Sequence, residues 1–252
     1  MVKLSLFTGL IKKGFGVLGV DVRMHRNIRS ARTLEKHAEL VRKWRLLEQF
    51  RPQTILDVGA NEGQCAALLR EAFPDARIIS FEPLEDCYEK VRAFHERAGN
   101  GLALRCALGD HDGKSVIHRN AFSPSSSLLP MNPLHVEEFP QTKRSFDEDI
   151  TIRRMDSVLD DLSVNDPLVI KLDVQGFEDR VIKGGRETFR RASAVVLELT
   201  SYPLYDDQAN FDDINTLLRG LGYTFRGVVD QSHSTVDGRI LQFDGLFENC
   251  RS

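Results

Sequence analysis

Asp57, Gly59, Asn61, Gly63 and Glu82 have the types and spacing to hold a nucleoside-bearing ligand. Thr54-Ile55-Leu56-Asp57-Val58 is an apolar run that enters the turn Gly59-Ala60-Asn61-Glu62-Gly63, and a second apolar run, Arg77 to Phe81, ends on Glu82. Glycines let a backbone approach a ligand closely, a helix start offers free N–H groups, and a carboxylate after the second strand can accept from ribose hydroxyls. Asp57 and Glu82 lie 25 residues apart, the length of one strand–helix–strand unit.

The turn argues against a dinucleotide. A pyrophosphate-binding turn reads Gly-x-Gly-x-x-Gly, whereas here Asn61 stands at the second glycine and Glu62 would face a diphosphate with negative charge. With Asp57 adjacent, the rim is acidic and suits a cationic or zwitterionic ligand, S-adenosyl-L-methionine before NAD. A plain strand–helix turn with a surface glutamate is the alternative. The ordered set of Asp57, Gly59, Gly63 and Glu82 favours a cofactor.

A second group runs Lys171-Leu172-Asp173-Val174-Gln175-Gly176-Phe177-Glu178, where polar residues interrupt the end of an apolar strand before a glycine turn. In open α/β sheets, ligands lie outside the carboxyl ends of the strands, where Asp57, Glu82, Gly109-Asp110 and Asp173 would gather. Lys171 could equally be a charge partner that stabilises the strand end. Glu178 could be a first-turn helix acid, placed by the helix dipole.

These residues need a scaffold of alternating strands and helices. Leu34, His37, Ala38, Val41, Trp44, Leu47 and Phe50 follow the three–four spacing of an amphipathic helix over 33–50. The pattern then predicts strands at 54–58, 77–81, 102–108, 115–118, 149–153, 168–174, 194–199, 223–229 and 239–247, and helices at 62–72, 84–97, 177–191 and 211–221. Alternation followed by two closing strands predicts one doubly wound α/β domain over 50–252, with seven main strands, the last reversed, and helices on both faces. Residues 119–148 carry Pro124, Pro130, Pro133 and Pro140 and are too long for a connection, so they are expected to form a lid-like insertion.

A chain of 252 residues, 41% hydrophobic and 28% charged, has the composition of an ordinary globular protein. The net charge of −3 gives no general attraction for nucleic acid. It hides an asymmetry, because residues 1–51 hold twelve Lys/Arg and four Asp/Glu, net +8, leaving −11 for the rest. A basic arm over 1–49 could touch a membrane surface, a phosphorylated acceptor or another subunit, and the 33–50 helix leaves a homodimer open. The apolar start, Met1 to Ile11, is mildly signal-like but is broken by Lys12-Lys13 and is too short to span a bilayer. Cys65, Cys87, Cys106 and Cys250 show neither C-x-x-C spacing nor histidine partners, so the expectation is reduced thiols, no metal and a cytoplasmic protein.

Ile55 to Gly63, Phe81-Glu82-Pro83, Ala107-Leu108-Gly109-Asp110, Ser125-Ser126-Ser127-Leu128, Arg154-Met155-Asp156-Ser157-Val158 and Lys171 to Glu178 resemble, in this order, the FkbM family of S-adenosylmethionine-dependent methyltransferases. The resemblance covers residues 50 to 247. It implies a class I methyltransferase (Rossmann-like) fold and methyl transfer to a hydroxyl of a small molecule or glycan. By position it implies that Asp57 to Gly63 wrap the amino acid half of the cofactor, that Glu82 holds the ribose, and that Leu108 to Asp110 flank the adenine. The family often has glutamate where Gln175 stands.

An alcohol oxygen is a weak nucleophile until its proton begins to leave, so a general base is expected. Asp173 is the first candidate, Glu178 the second, and His135 and His118 are lid-side alternatives with suitable ordinary pKa values. The other readings are a non-catalytic binding protein on the same fold, a nucleotide-dependent oxidoreductase, and RNA methylation, for which only the basic arm speaks.

Overall fold

The structure, a computed structural model, describes residues 25–250. The chain divides into two units, residues 1–42 and 43–252, and the site lies wholly in the second. The basic segment before residue 25, with its expected membrane contact, lies outside the described residues.

Helix α1 (His25–Trp44) runs into a 3-10 turn, Arg45–Phe50, that ends on Arg51 in the left-handed region. Then follow β1 (Thr54–Val58), α2 (Gln64–Ala72), β2 (Arg77–Phe81), α3 (Glu85–Ala98), β3 (Gly101–Leu104), β4 (Ala107–Gly109) and β5 (Gly113–Asn120). The second half contributes α4 (Pro133–Glu138), β6 (Ser145–Arg154), α5 (Met155–Leu159), β7 (Leu168–Leu172), α6 (Glu178–Gly184), α7 (Arg186–Arg191), β8 (Ala194–Thr200), α8 (Phe211–Leu221), β9 (Tyr223–His233) and β10 (Ile240–Asn249).

Seven strands form the main sheet in the order β3-β2-β1-β7-β8-β10-β9. All neighbours run parallel except β10, which is antiparallel to both β8 and β9. This is the doubly wound arrangement the sequence predicts, with the last strand reversed. Every residue of β1 and of β7 is buried, because helices cover both faces of a parallel sheet and leave no strand face to water. Leu56, Ile170, Leu172, Val195 and Leu197 sit in the main core cluster, where truncating one leucine to alanine costs about 2–5 kcal/mol.

Two expectations are corrected. The strand expected over 102–108 is two strands, because the Cys106 N–H turns back onto the Leu104 carbonyl and carries the chain out of the main sheet. Its second half, β4, joins a separate three-stranded sheet of order β4-β6-β5. The helix expected over 177–191 is broken into α6 and α7 at Gly185, where the chain packs against Met155 so closely that a Cβ would sit 2.9 Å from the Met155 Cβ. The 119–148 segment is largely ordered: it completes β5, forms α4 and two 3-10 turns, and begins β6. Asn132 caps α4 by accepting from the His135 N–H, and a bridge between Met131 and Tyr205 ties the segment to the chain after β8.

Among the described residues no helix is long and apolar enough to cross a membrane.

Candidate functional site

The carboxyl ends of β1, β2 and β7 open on a cleft of about 680 Å³. Gly59, Asn61, Glu82, Leu108, Asp173 and Gln175 line it, together with Ser123, Pro124, Ser126 and Leu128 of the insertion. Gly59 has φ +77°, and a Cβ there would lie 1.8 Å from the Asp173 carbonyl oxygen. Only glycine lets the turn after β1 lie against the end of β7. Asn61 is also left-handed, at φ +48°, a conformation asparagine tolerates better than most residues.

Glu82 closes the opposite wall. Its Oε2 accepts from the Asn61 N–H at 2.8 Å and its Oε1 from the Leu84 N–H at 2.9 Å. Burial outweighs these donors and pushes its pKa up to about 7. Each oxygen keeps a further lone pair for a hydroxyl.

The Asp57 side chain is fully buried beneath the turn and does not line the cleft. Its Oδ2 accepts from Ser80 Oγ at 3.4 Å, while its Oδ1 has no hydrogen-bond partner and lies 3.4 Å from Lys171 Nζ. Gly63, at φ +86°, caps the start of α2 and is not part of the lining. Asp110 is exposed and pairs with His111, outside the lining, while Leu108 beside it forms the wall.

Of the four candidate bases, only Asp173 faces the cleft. Glu178 is buried, and its Oε1 accepts from the N–H groups of Val174 and Gly176, which holds the loop after β7. Burial pushes its pKa up to about 7. His135 is buried behind the wall, 3.2 Å from both Thr142 Oγ1 and the Tyr205 hydroxyl, and burial lowers its pKa. His118 lies at the surface of the small sheet against Asp147. Among the described residues no group of three or more His, Cys, Asp and Glu gathers as a metal ion would require.

The model of the "Methyltransferase FkbM domain" matches residues 57–225, from the buried aspartate of β1 into β9. The chain belongs to the FkbM methyltransferase family.

Among curated relatives, the 2-O-methyltransferase NoeI of Sinorhizobium fredii is 28% identical over 196 residues, covering 74% of this chain and 77% of that protein. The hexuronic acid methyltransferase AglP of Haloferax volcanii is 28% identical over 158 residues, covering 61% and 59%. A solved FkbM methyltransferase from Methylobacillus flagellatus aligns at 15% identity over 77% of this chain and 43% of its own, with a TM-score of 0.48.

In this FkbM chain, sequence reasoning missed the part played by Gln175. Its Nε2 donates to Asp173 Oδ1 and to Glu198 Oε2, each at 2.8 Å, and its Oε1 accepts from the Tyr205 hydroxyl at 2.9 Å. Ser127 Oγ donates to its carbonyl at 2.6 Å. The left-handed backbone at φ +55° aims the side chain along the cleft wall. Only the polar interruption at the end of β7 signalled it. Nothing in the sequence marked Tyr205, Ser123 or Glu198.

Beyond Gln175 lies a second, open cleft of about 390 Å³, lined by Glu198, Asp230, Gln231, Ser232, Gln242, Phe243 and Asp244. Gln242 Nε2 donates to the same Glu198 Oε2 that Gln175 holds, so the two clefts share one wall.

Proposed function

We propose that this methyltransferase uses S-adenosyl-L-methionine to methylate a hydroxyl oxygen of a glycan or small molecule. The observation that carries the reading is Glu82, an acceptor-rich carboxylate tied to the β1 turn across a cleft from Asp173. The residues fit the cofactor. Gly59 keeps the turn free of a side chain, the carboxylates suit a ligand bearing positive charge, and Glu82 retains acceptor capacity for a ribose.

Gly59 to Asn61, Glu82 and Leu108 would hold the cofactor, with Asp57 supplying charge from below. The cofactor supplies a methyl group activated by positively charged sulfur. Asp173 would accept the proton of the acceptor hydroxyl: its side chain is about one-third exposed, and Gln175 and Lys171 fix both of its oxygens. Much of the acceleration would come from alignment and the exclusion of water, to which the insertion contributes by covering the cleft with Ser123, Pro124 and Leu128. Glu178 and His135 are assigned to positioning, since Glu178 Oε1 and both ring nitrogens of His135 are engaged within the protein.

The relatives named for 2-O-methylation and for hexuronic acid support a sugar hydroxyl as acceptor. The second cleft, with its amides, hydroxyl and carboxylates around Phe243, is suited to such a ring. The test is to incubate the protein with methyl-labelled S-adenosylmethionine and a panel of sugars and small alcohols, and to read the products by mass spectrometry. Label in an ether methyl, lost in Asp173→Asn while the variant still binds S-adenosylmethionine, supports the reading. Label on nitrogen or carbon contradicts it.

A further inference from the structure

Lys171 is a buried cation that the reaction as described does not use as acid, base or ligand. It rises from the centre of the sheet between two carboxylates. Its Nζ lies 3.4 Å from Asp57 Oδ1 and 3.7 Å from Asp173 Oδ2, and it donates to the Gly59 carbonyl at 3.1 Å. Burial works against its charge, yet the two aspartates outweigh this and hold the ammonium above its ordinary range. Asp57 Oδ1 is buried with no hydrogen bond of its own, so Lys171 is its compensating partner.

Lys171 itself does not line the cleft, while Gly59 and Asp173, two of the three groups it touches, do. Its charge is therefore felt at the cleft through residues that stay in place. Two carboxylates and one ammonium leave one net negative charge at this end of the site. Glu198 stands farther along the wall behind Gln175, and Cys65 approaches from α2.

We propose that Lys171 sets how strongly the cleft prefers a positively charged sulfur ligand over its neutral counterpart. The inference rests on the cofactor reading above. S-adenosylmethionine carries a sulfonium, and its demethylated product, S-adenosylhomocysteine, an uncharged thioether. The aspartates attract the first more than the second, and Lys171 tempers the difference. With full negative charge the site would hold the charged cofactor tightly before transfer, at the expense of stabilising the charge-neutral state that follows. Lys171 is thus a specificity-determining residue that acts from behind the wall.

A lysine that only props the Gly59 carbonyl would affect both ligands alike. The test is calorimetric titration of the full chain with S-adenosylmethionine and S-adenosylhomocysteine at pH 8, reading the ratio of the two Kd values. Lys171→Met is expected to shift the ratio about fivefold toward S-adenosylmethionine, the order of one unit charge several ångströms away in partly solvated protein. Lys171→Arg, which keeps the charge, should stay near the wild-type ratio. Asp173→Asn should shift it the other way, and the double variant Lys171→Met/Asp173→Asn should return it toward wild type. If Lys171→Met alone does not fold, the double variant against Asp173→Asn measures the same shift with the charge rebalanced. A ratio unchanged by removal of Lys171, even with both ligands bound more weakly, overturns the inference. Wild-type protein that binds neither ligand overturns the cofactor reading itself, which is a different result.

Discussion

The Asn61 N–H donates to Glu82 Oε2 at 2.8 Å, so the turn after β1 and the acid after β2 form one rigid unit. The same asparagine accepts through Oδ1 from Ser123 Oγ at 3.0 Å and from Cys87 Sγ at 3.3 Å. One residue thus joins the turn, the acid, α3 and the insertion. Asn61 stands where a dinucleotide-binding turn would have glycine. Its side chain does work a glycine could not, and its left-handed backbone keeps the turn tight.

Gly59 and Gly63 are expected to respond differently to alanine. Both have positive φ, but a Cβ at 59 meets the Asp173 carbonyl at 1.8 Å, whereas at 63 the nearest atom is 3.6 Å away. Gly63→Ala should cost about 1 kcal/mol from backbone strain alone. Gly59→Ala should cost more than twice that, or displace the end of β7. Denaturant unfolding of both variants checks this, and equal losses would contradict it.

Glu82 and Glu178 should each contribute stability that is lost as pH rises from about 4.5 to about 7. Burial raises Glu82 and Glu178 from an ordinary 4.5 to about 7, so in that window the folded state binds more protons than the unfolded one. Where the folded state holds the extra protons, raising the pH favours unfolding. Above both values this contribution levels off. Glu178→Gln keeps an acceptor oxygen for the Val174 and Gly176 N–H groups and should flatten part of the slope. Thermal unfolding from pH 5 to 8 is the measurement, and identical slopes in wild type and variant would contradict the assignment.

The legibility of the chain followed its burial. β1, β2 and α8 were readable to the residue, because short, mostly apolar runs bounded by turn residues, and the apolar spacing over 211–221, leave few alternatives. The split between β3 and β4 was not, since Leu102, Ala103, Ala107 and Leu108 read as one apolar strand whichever sheet they join. In the site, Asp57, Gly59, Asn61, Gly63, Glu82 and Asp173 stood out because polar or glycine residues interrupt buried runs. Tyr205 and Ser123 lie in segments without periodicity, and only the folded chain brings them to Gln175 and Asn61.

Tyr205→Phe should separate catalysis from cofactor binding. Removing the hydroxyl leaves Gln175 Oε1 without its donor and His135 Nε2 without its partner. A buried acceptor left unpaired costs about 1–3 kcal/mol of stability. Methyl transfer should fall more than cofactor affinity, because Gln175 orients Asp173 while Glu82 is untouched. Parallel loss of both would show that Tyr205 acts on the fold alone.

Loss of the Ser123 hydroxyl should weaken cofactor binding, because Ser123 lines the cleft and anchors the insertion to Asn61. Ser123→Ala is expected to raise the Kd for S-adenosylmethionine several-fold, the loss of about one hydrogen bond. An unchanged Kd, with only acceptor turnover reduced, would make the insertion an acceptor cover and no part of the cofactor site.

The central claim is that the cleft between Glu82 and Asp173 holds S-adenosylmethionine. Calorimetric titration of wild type and Glu82→Ala with S-adenosylmethionine, S-adenosylhomocysteine and NAD tests it directly. The claim predicts micromolar binding of the first two, weakened at least about tenfold in the variant as acceptor bonds are lost, and no binding of NAD. Tight NAD binding, or S-adenosylmethionine affinity indifferent to Glu82, would contradict it.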